Sequence, residues 1–263
     1  MRSKKLIKIL NRLSKSREQI FWEKQIKVEE RFEKKFKKEL VTIFNKQRKK
    51  VLAKLERKSI KVDIPRVLLD VSKESKEFLI VFPPILREII KEEGGLAFQQ
   101  IGMDGEIDLE NLRVTGFLKS NTIKFSTEVN KYTNKRIRTV LAAGIAEGES
   151  IPKLVKRING VFDNCTKSRA FAIARTESSR AMNFATEEAY IESGVVEGKR
   201  WLTAFDERTC LECSSLDGKL VDLGDNFFDK GDEFLGLKLD YEDVGHPPLH
   251  SRCRCTLVPE LIE

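Results

Sequence analysis

No glycine or proline occurs before Pro65. Without either backbone breaker, this stretch favours long helices. Phe32, Phe36, Leu40 and Phe44 recur every four residues, so they share one helix face, and Val51 and Leu55 continue the stripe. The opposite face carries Lys34, Lys35, Lys38 and Lys49. An amphipathic helix of this kind must bury its apolar stripe, either against its own second helix or against a neighbouring subunit.

Charge is spread unevenly. Residues 1–60 hold 21 Lys and Arg against 7 Glu, a net +14, while the other 203 residues hold 28 against 34, a net −6. Such asymmetry points to an acidic partner for one end, either DNA or an acidic protein surface. Lys34, Lys35, Lys38, Lys49 and Lys50 are the candidate phosphate contacts, expected to bind double-stranded DNA without sequence preference. The competing reading is a solvated, lysine-rich helix face.

The basic start, Met1 to Leu6, is followed by no long apolar run, because Lys8, Asn11 and Arg12 interrupt it, so an ordinary signal peptide is not expected. The longest apolar stretch, Phe78 to Leu86, is far shorter than the ~20 residues of a membrane span. Five cysteines suggest thiols or metal ligands before disulfides.

Further along, Pro83-Pro84 reads as a break, with Pro84 in the first turn of a helix running to Glu93 and Gly94-Gly95 as its stop. Gly102 and Gly105 mark a loop. Ser120 or Asn121 can cap a helix carrying Ile123, Phe125 and Val129, and Thr133 or Asn134 a second one ended by Gly148. Ser150 with Pro152 starts another, which stops at Asn159-Gly160, and Ser168 begins a helix closed by Ser193-Gly194. Lys199 to Phe205 and Cys253 to Val258 read as strands, with a turn at Asp217-Gly218. The expected class is α+β: mostly helical, with long amino-terminal helices and a small carboxy-terminal β-element rich in Cys and His.

From about 133 to 259 the chain resembles the phage Mu F-like minor head proteins. Gly144 to Ile151 is similar to the family's join between two helices. Arg175-Thr176-Glu177 resembles its Arg-Thr-Glu helix, with Asn183 at the usual interval. Trp201 with Thr203, Asp206 to Cys210, Cys213, Asp217-Gly218 and the closing His250-x-x-Cys253-Arg254-Cys255 follow in order. The chain departs from the family where His-Pro sits at His246-Pro247, ahead of His250, which leaves open which histidine fills the family's role. The resemblance implies a low-copy protein of the virion interior near the portal vertex, found in the host cytoplasm during assembly. Its implied partners are the portal protein and a scaffold or major capsid protein. It would act in procapsid assembly or in DNA packaging and delivery.

Cys210, Cys213, His250, Cys253 and Cys255 have the spacing of a metal site, and thiolates with imidazole suit zinc. Four cysteines, or three with one histidine, would complete a tetrahedron; the other reading is free thiols or a disulfide. Cys165 lies outside the cluster and reads as a buried small hydrophobe. Arg175, Glu177 and Arg180 read as a structural anchor, with a catalytic or nucleotide site as the sharper option. Asp206 and Asp217 invite a nuclease carboxylate pair but read better as turn formers. The acidic stretch Asp222 to Asp243 lacks a calcium-loop register and reads as an insertion loop. The expected organisation is a basic helical arm (1–60), a helical middle region (61–120) and a Mu F-like domain (121–263). Eight residues follow Cys255, leaving no room for an appended effector, so an assembly protein is expected and not an enzyme. The alternative is a metal-dependent nuclease or a transferase.

Overall fold

The computed structural model describes residues 16–56, 63–207, 209–239 and 242–262. Their elements run α1 (Arg17–Glu56), α2 (Ile64–Val67), α3 (Val71–Gln100), α4 (Leu112–Ala146), α5 (Ile151–Asn164), a π-helical turn (Cys165–Arg169), α6 (Ala170–Ser193), β1 (Val196–Leu202), α7 (Leu211–Ser214), β2 (Leu220–Asp222), β3 (Glu233–Phe234), β4 (Leu237–Lys238) and β5 (Thr256–Leu261). The fold is α+β and mostly helical, as the sequence suggested. Among the described residues no helix is long and apolar enough to cross a membrane.

The chain divides into two compact units that are discontinuous in sequence. The first holds the described residues up to Arg31, Ile89–Ile107 and those from Arg175 onward; the second holds Phe32–Glu88 and Asp108–Ala174. Helices α1, α3 and α6 each contribute residues to both.

The second unit is built on the apolar stripe of α1. Phe36, Leu40, Phe44, Val51 and Leu55 are fully or almost fully buried, as is Phe32. Phe36 stacks on Phe82 at 4.3 Å between ring centroids, and Phe125 meets Phe78 and Phe82 edge-on at 5.7 and 5.3 Å. Each such ring contributes roughly 1.5–3 kcal/mol by burial alone. Gln47 donates to Asn130 at 2.8 Å, so the buried amide of α1 finds a partner on α4.

Three breaks expected from the sequence are absent. Helix α3 runs through Pro83-Pro84. Pro84 is exposed and Pro83 half-buried, while Phe78, Phe82, Ile85 and Leu86 are buried, so burial of that face outweighs two missing backbone donors. Gly94 does not stop α3 either. A Cβ there would lie 2.3 Å from Ile107 Cδ1, so the glycine admits a side chain packed against the helix. Helices α5 and α6 join through the π turn instead of stopping at Asn159-Gly160 and restarting at Ser168. Arg169 at the end of that turn donates to Thr133 Oγ1 (2.7 Å) and to the Val129 carbonyl (2.9 Å).

The helix start expected at Ser120 or Asn121 lies instead at Asn111, whose side chain accepts from Val114 N. One helix then runs to Ala146, and no second cap occurs at Thr133 or Asn134. Thr133 is buried, and Asn134 bonds both the N–H and the carbonyl of Leu69, at 2.9 and 2.8 Å. Polar residues that read as caps here serve as tertiary clamps.

The first unit holds an antiparallel sheet in the order β2-β1-β5, with Trp201 opposite Leu257 and Arg200 opposite Val258. Strand β1 spans Val196–Leu202 and β5 spans Thr256–Leu261, so Cys253 and Cys255 lie just ahead of a strand and not within one. Helix α6 lies along this sheet: the Tyr190 hydroxyl donates to the Leu257 carbonyl at 3.4 Å, and buried Lys199 of β1 pairs with Glu187. The acidic stretch after β2 forms the β3–β4 hairpin and a bridge between Phe228 and Val244. Two of its carboxylates take up the loop's own N–H groups: Asp232 accepts from Asp229 N and Asp243 from Lys230 N. Asp240 lies outside the described residues.

Candidate metal centre

Cys210 and Cys213 come first, at a short helical turn. Cys210 is the N-cap of α7, and its sulfur accepts from Cys213 N at 3.4 Å. The strand-forming end of the chain supplies the rest.

The Nε2 of His250 lies 3.1 Å from both the Cys210 and Cys213 sulfurs, and Cys213 Sγ lies 3.7 Å from Cys253 Sγ. The donor atoms of Cys210, Cys213 and His250 all lie within 4.8 Å of one another, as do those of Cys213, Cys253 and Cys255. Cys213 belongs to both groups. Two ligands held about 2.3 Å from a tetrahedral zinc sit about 3.8 Å apart, which the Cys213–Cys253 separation matches. The sulfur contact with Cys253, then that with Cys255, then burial push the Cys213 thiol far above its ordinary range. Sulfurs this close cannot all ionise unless a cation joins them, so the set fits a soft metal ion.

All five candidate ligands are thus brought together. His250 is the histidine concerned: His246 is half-buried away from the thiols, its Nδ1 2.6 Å from the Pro247 carbonyl and its ring edge-on to Phe184, and desolvation lowers its pKa. The ring nitrogen of His250 that faces away from the sulfurs, Nδ1, meets the Ser251 carbonyl at 2.9 Å, which fixes the imidazole's orientation. Cys165 stands apart in the second unit, buried, its thiol pushed up by desolvation.

Helix α6 brackets the ligand turn. Thr176 Oγ1 accepts from Arg252 N at 3.1 Å, between His250 and Cys253. Asn183 donates to the Cys255 carbonyl at 3.2 Å, and Trp22 Nε1 donates to the Arg254 carbonyl at 2.9 Å. Glu177 is buried and lies 3.8 Å from Arg180, which also pairs with Glu242 at 2.9 Å. Arg175 lies two residues before Glu177 on the same helix, half-buried. Trp201 is fully buried, edge-on to Phe227 at 5.1 Å. Asp217 accepts from both the N–H and hydroxyl of Thr203 at 2.9 Å, and Gly218, at φ +78°, donates to the Trp201 carbonyl. The Asp206 carbonyl accepts from Thr209 N, one residue before Cys210. Trp22 is the contact that the sequence did not signal, because 232 residues separate it from Arg254.

Residues 135–258, which supply every donor of this centre, match the family described as Phage Mu protein F like protein. The match covers just under half of the chain. The chain is also 30% identical over 170 residues to NAD(+)--arginine ADP-ribosyltransferase EFV of Enterococcus faecalis (strain ATCC 700802 / V583), a match covering 62% of this chain and 32% of that protein. The chain therefore spans about a third of that relative's length. No solved structure matches it.

Outside the Mu F-like region, Lys34, Lys35, Lys38, Lys49 and Lys50 of α1 are all exposed. They are not equally available. Lys35 is paired with Glu88 and Lys50 with Glu74, the latter at 2.9 Å.

Proposed function

We propose that this chain is a minor head protein of a tailed phage, a low-copy component of the head interior that associates with the portal and acts in procapsid assembly or in DNA packaging and delivery. One observation carries this reading: the region matching the Mu F-like family is the region that builds the cysteine–histidine centre. A portal-proximal location and contact with scaffold or major capsid protein belong to the same proposal.

The centre is proposed to hold one zinc ion. Cys210, Cys213, His250, Cys253 and Cys255 are the available donors, and bound zinc would act as a structural cross-link between α7 and the turn before β5. These residues hold the turn in place from the protein side through Thr176, Asn183 and Trp22.

Fractionating procapsids and virions and quantifying this chain against the portal tests the reading. Co-fractionation with the portal in few copies is expected. Exclusion from both particles would overturn it.

The likeness to an arginine ADP-ribosyltransferase favours a second reading, transfer of ADP-ribose from NAD to arginine. Incubating the purified chain with labelled NAD and an arginine-rich acceptor separates the two. An assembly protein transfers no label.

A further inference from the structure

We propose that the solvent face of helix α4 is a binding surface for the phosphate backbone of double-stranded DNA. Arg113, Lys124, Lys131, Lys135 and Arg138 follow one another at intervals of 11, 7, 4 and 3 residues. Each interval is close to a whole number of helical turns, so the five cations line one face over about 38 Å of axis. The opposite face is the buried one, carrying Val114, Leu118, Phe125, Val129, Ile137 and Leu141. Within α4 itself, Glu128 is the one acidic residue.

The ion pairs distinguish this face from the amino-terminal lysines. Helix α1 gives up Lys35, Lys46 and Lys50 to Glu88, Glu77 and Glu74. On α4, Lys131, Lys135 and Arg138 are exposed and make no ion pair among the described residues. Lys131 and Lys135 are four apart and Lys135 and Arg138 three apart, so like charges stand side by side on the helix. The compact unit to which they belong carries 28 Lys and Arg against 14 Asp and Glu, a net +14, while the rest of the chain is net −6.

A straight line of cations fits a linear polyanion. Each strand of a duplex places a charge about every 3.4 Å along its axis, so several phosphates fall within reach of such a helix. An acidic protein patch is seldom so extended and regular. Phosphate contacts carry no sequence information, so binding through them would be independent of sequence.

The test is binding of the full chain to a random-sequence duplex, followed by fluorescence anisotropy over a range of salt. Lys131→Gln/Lys135→Gln/Arg138→Gln is compared with Lys34→Gln/Lys38→Gln/Lys49→Gln, which removes the same charge from exposed positions of α1. Circular dichroism of each variant should match the parent, since all six side chains are exposed. The α4 variant is expected to lose at least about tenfold in affinity, with the log–log salt slope shallower by about 3, near one per lost phosphate contact. The α1 variant should lose less than about threefold. Equal losses in both would show that only net charge matters and would overturn the assignment. Failure of the parent chain to bind the duplex even at low salt would overturn it too and leave the face to an acidic protein.

Discussion

Asn183 on helix α6 donates its side-chain amide to the backbone carbonyl of Cys255, 72 residues later in the chain, at 3.2 Å. The same nitrogen reaches the Ser179 carbonyl at 2.9 Å, and the residue is buried. One amide thus joins the Arg-Thr-Glu helix to the last cysteine of the cysteine–histidine cluster. The Asn183→Leu variant keeps the size and loses both bonds. It should cost about 1–3 kcal/mol, the penalty for a buried carbonyl deprived of its donor. Urea unfolding of the two proteins checks this; an unchanged midpoint would show that the bond does not hold the turn.

Cys213 is the donor common to both groups of the centre, and it lies 3.7 Å from Cys253 and 3.1 Å from His250. Metal analysis of protein purified under reducing conditions should find about one zinc per chain. Cys213→Ser should abolish binding, whereas a change at Cys210 or Cys255, each in one group only, should weaken it less. Because structural zinc contributes directly to folding, chelation should lower the melting temperature of the parent and leave that of Cys213→Ser unmoved. A folded chain without metal and with all four clustered thiols freely titratable would contradict this.

Phe36 is fully buried and Lys38, two residues on, is exposed. Phe36→Asp should destabilise the protein by several kcal/mol, since it removes a ring stacked on Phe82 and buries an unpaired carboxylate. Lys38→Asp should stay within about 0.5 kcal/mol. Thermal melts of the two variants against the parent distinguish these outcomes, and equal tolerance would mean that the stripe is not buried in solution.

The stripe was legible because burial on a helix has a period, and Phe32, Phe36, Leu40 and Phe44 display it without interruption. The cysteine–histidine cluster was legible because Cys210-x-x-Cys213 and His250-x-x-Cys253-x-Cys255 are short local patterns. What the sequence concealed depends on partners distant in the chain. Pro83-Pro84 and Gly94 look like breaks until the burial of Phe82 and the close approach of Ile107 are known. Asn134 looks like a cap until Leu69 appears beside it. His250 could be separated from His246 only by its approach to the Cys210 and Cys213 sulfurs, while His246 packs edge-on to Phe184. The basic line on α4 carried a readable signal in its intervals, yet a net charge taken segment by segment averages it away.

Glu93 titrates in an unusual setting. It is fully buried on α3, where Gln25 Nε2 and Thr186 Oγ1 both donate to its Oε1. Desolvation dominates these two hydrogen bonds and raises its pKa to about 8. The folded protein therefore holds a proton that the unfolded chain releases near pH 4.5. The stability linked to this group is complete below about pH 4.5 and declines as pH rises from there to about 8, with no further change above. The loss is on the order of a few kcal/mol, since each pKa unit corresponds to about 1.4 kcal/mol. Glu93→Gln keeps the shape and never ionises, so it should remove this decline and be more stable than the parent at pH 8. Unfolding free energies measured at pH 5 and pH 8 provide the check. Carboxylates held ionised by partners elsewhere lose their stabilisation at lower pH, so the parent-minus-variant difference isolates Glu93. A difference that does not grow between the two pH values would mean that Glu93 ionises at its ordinary pH despite its burial.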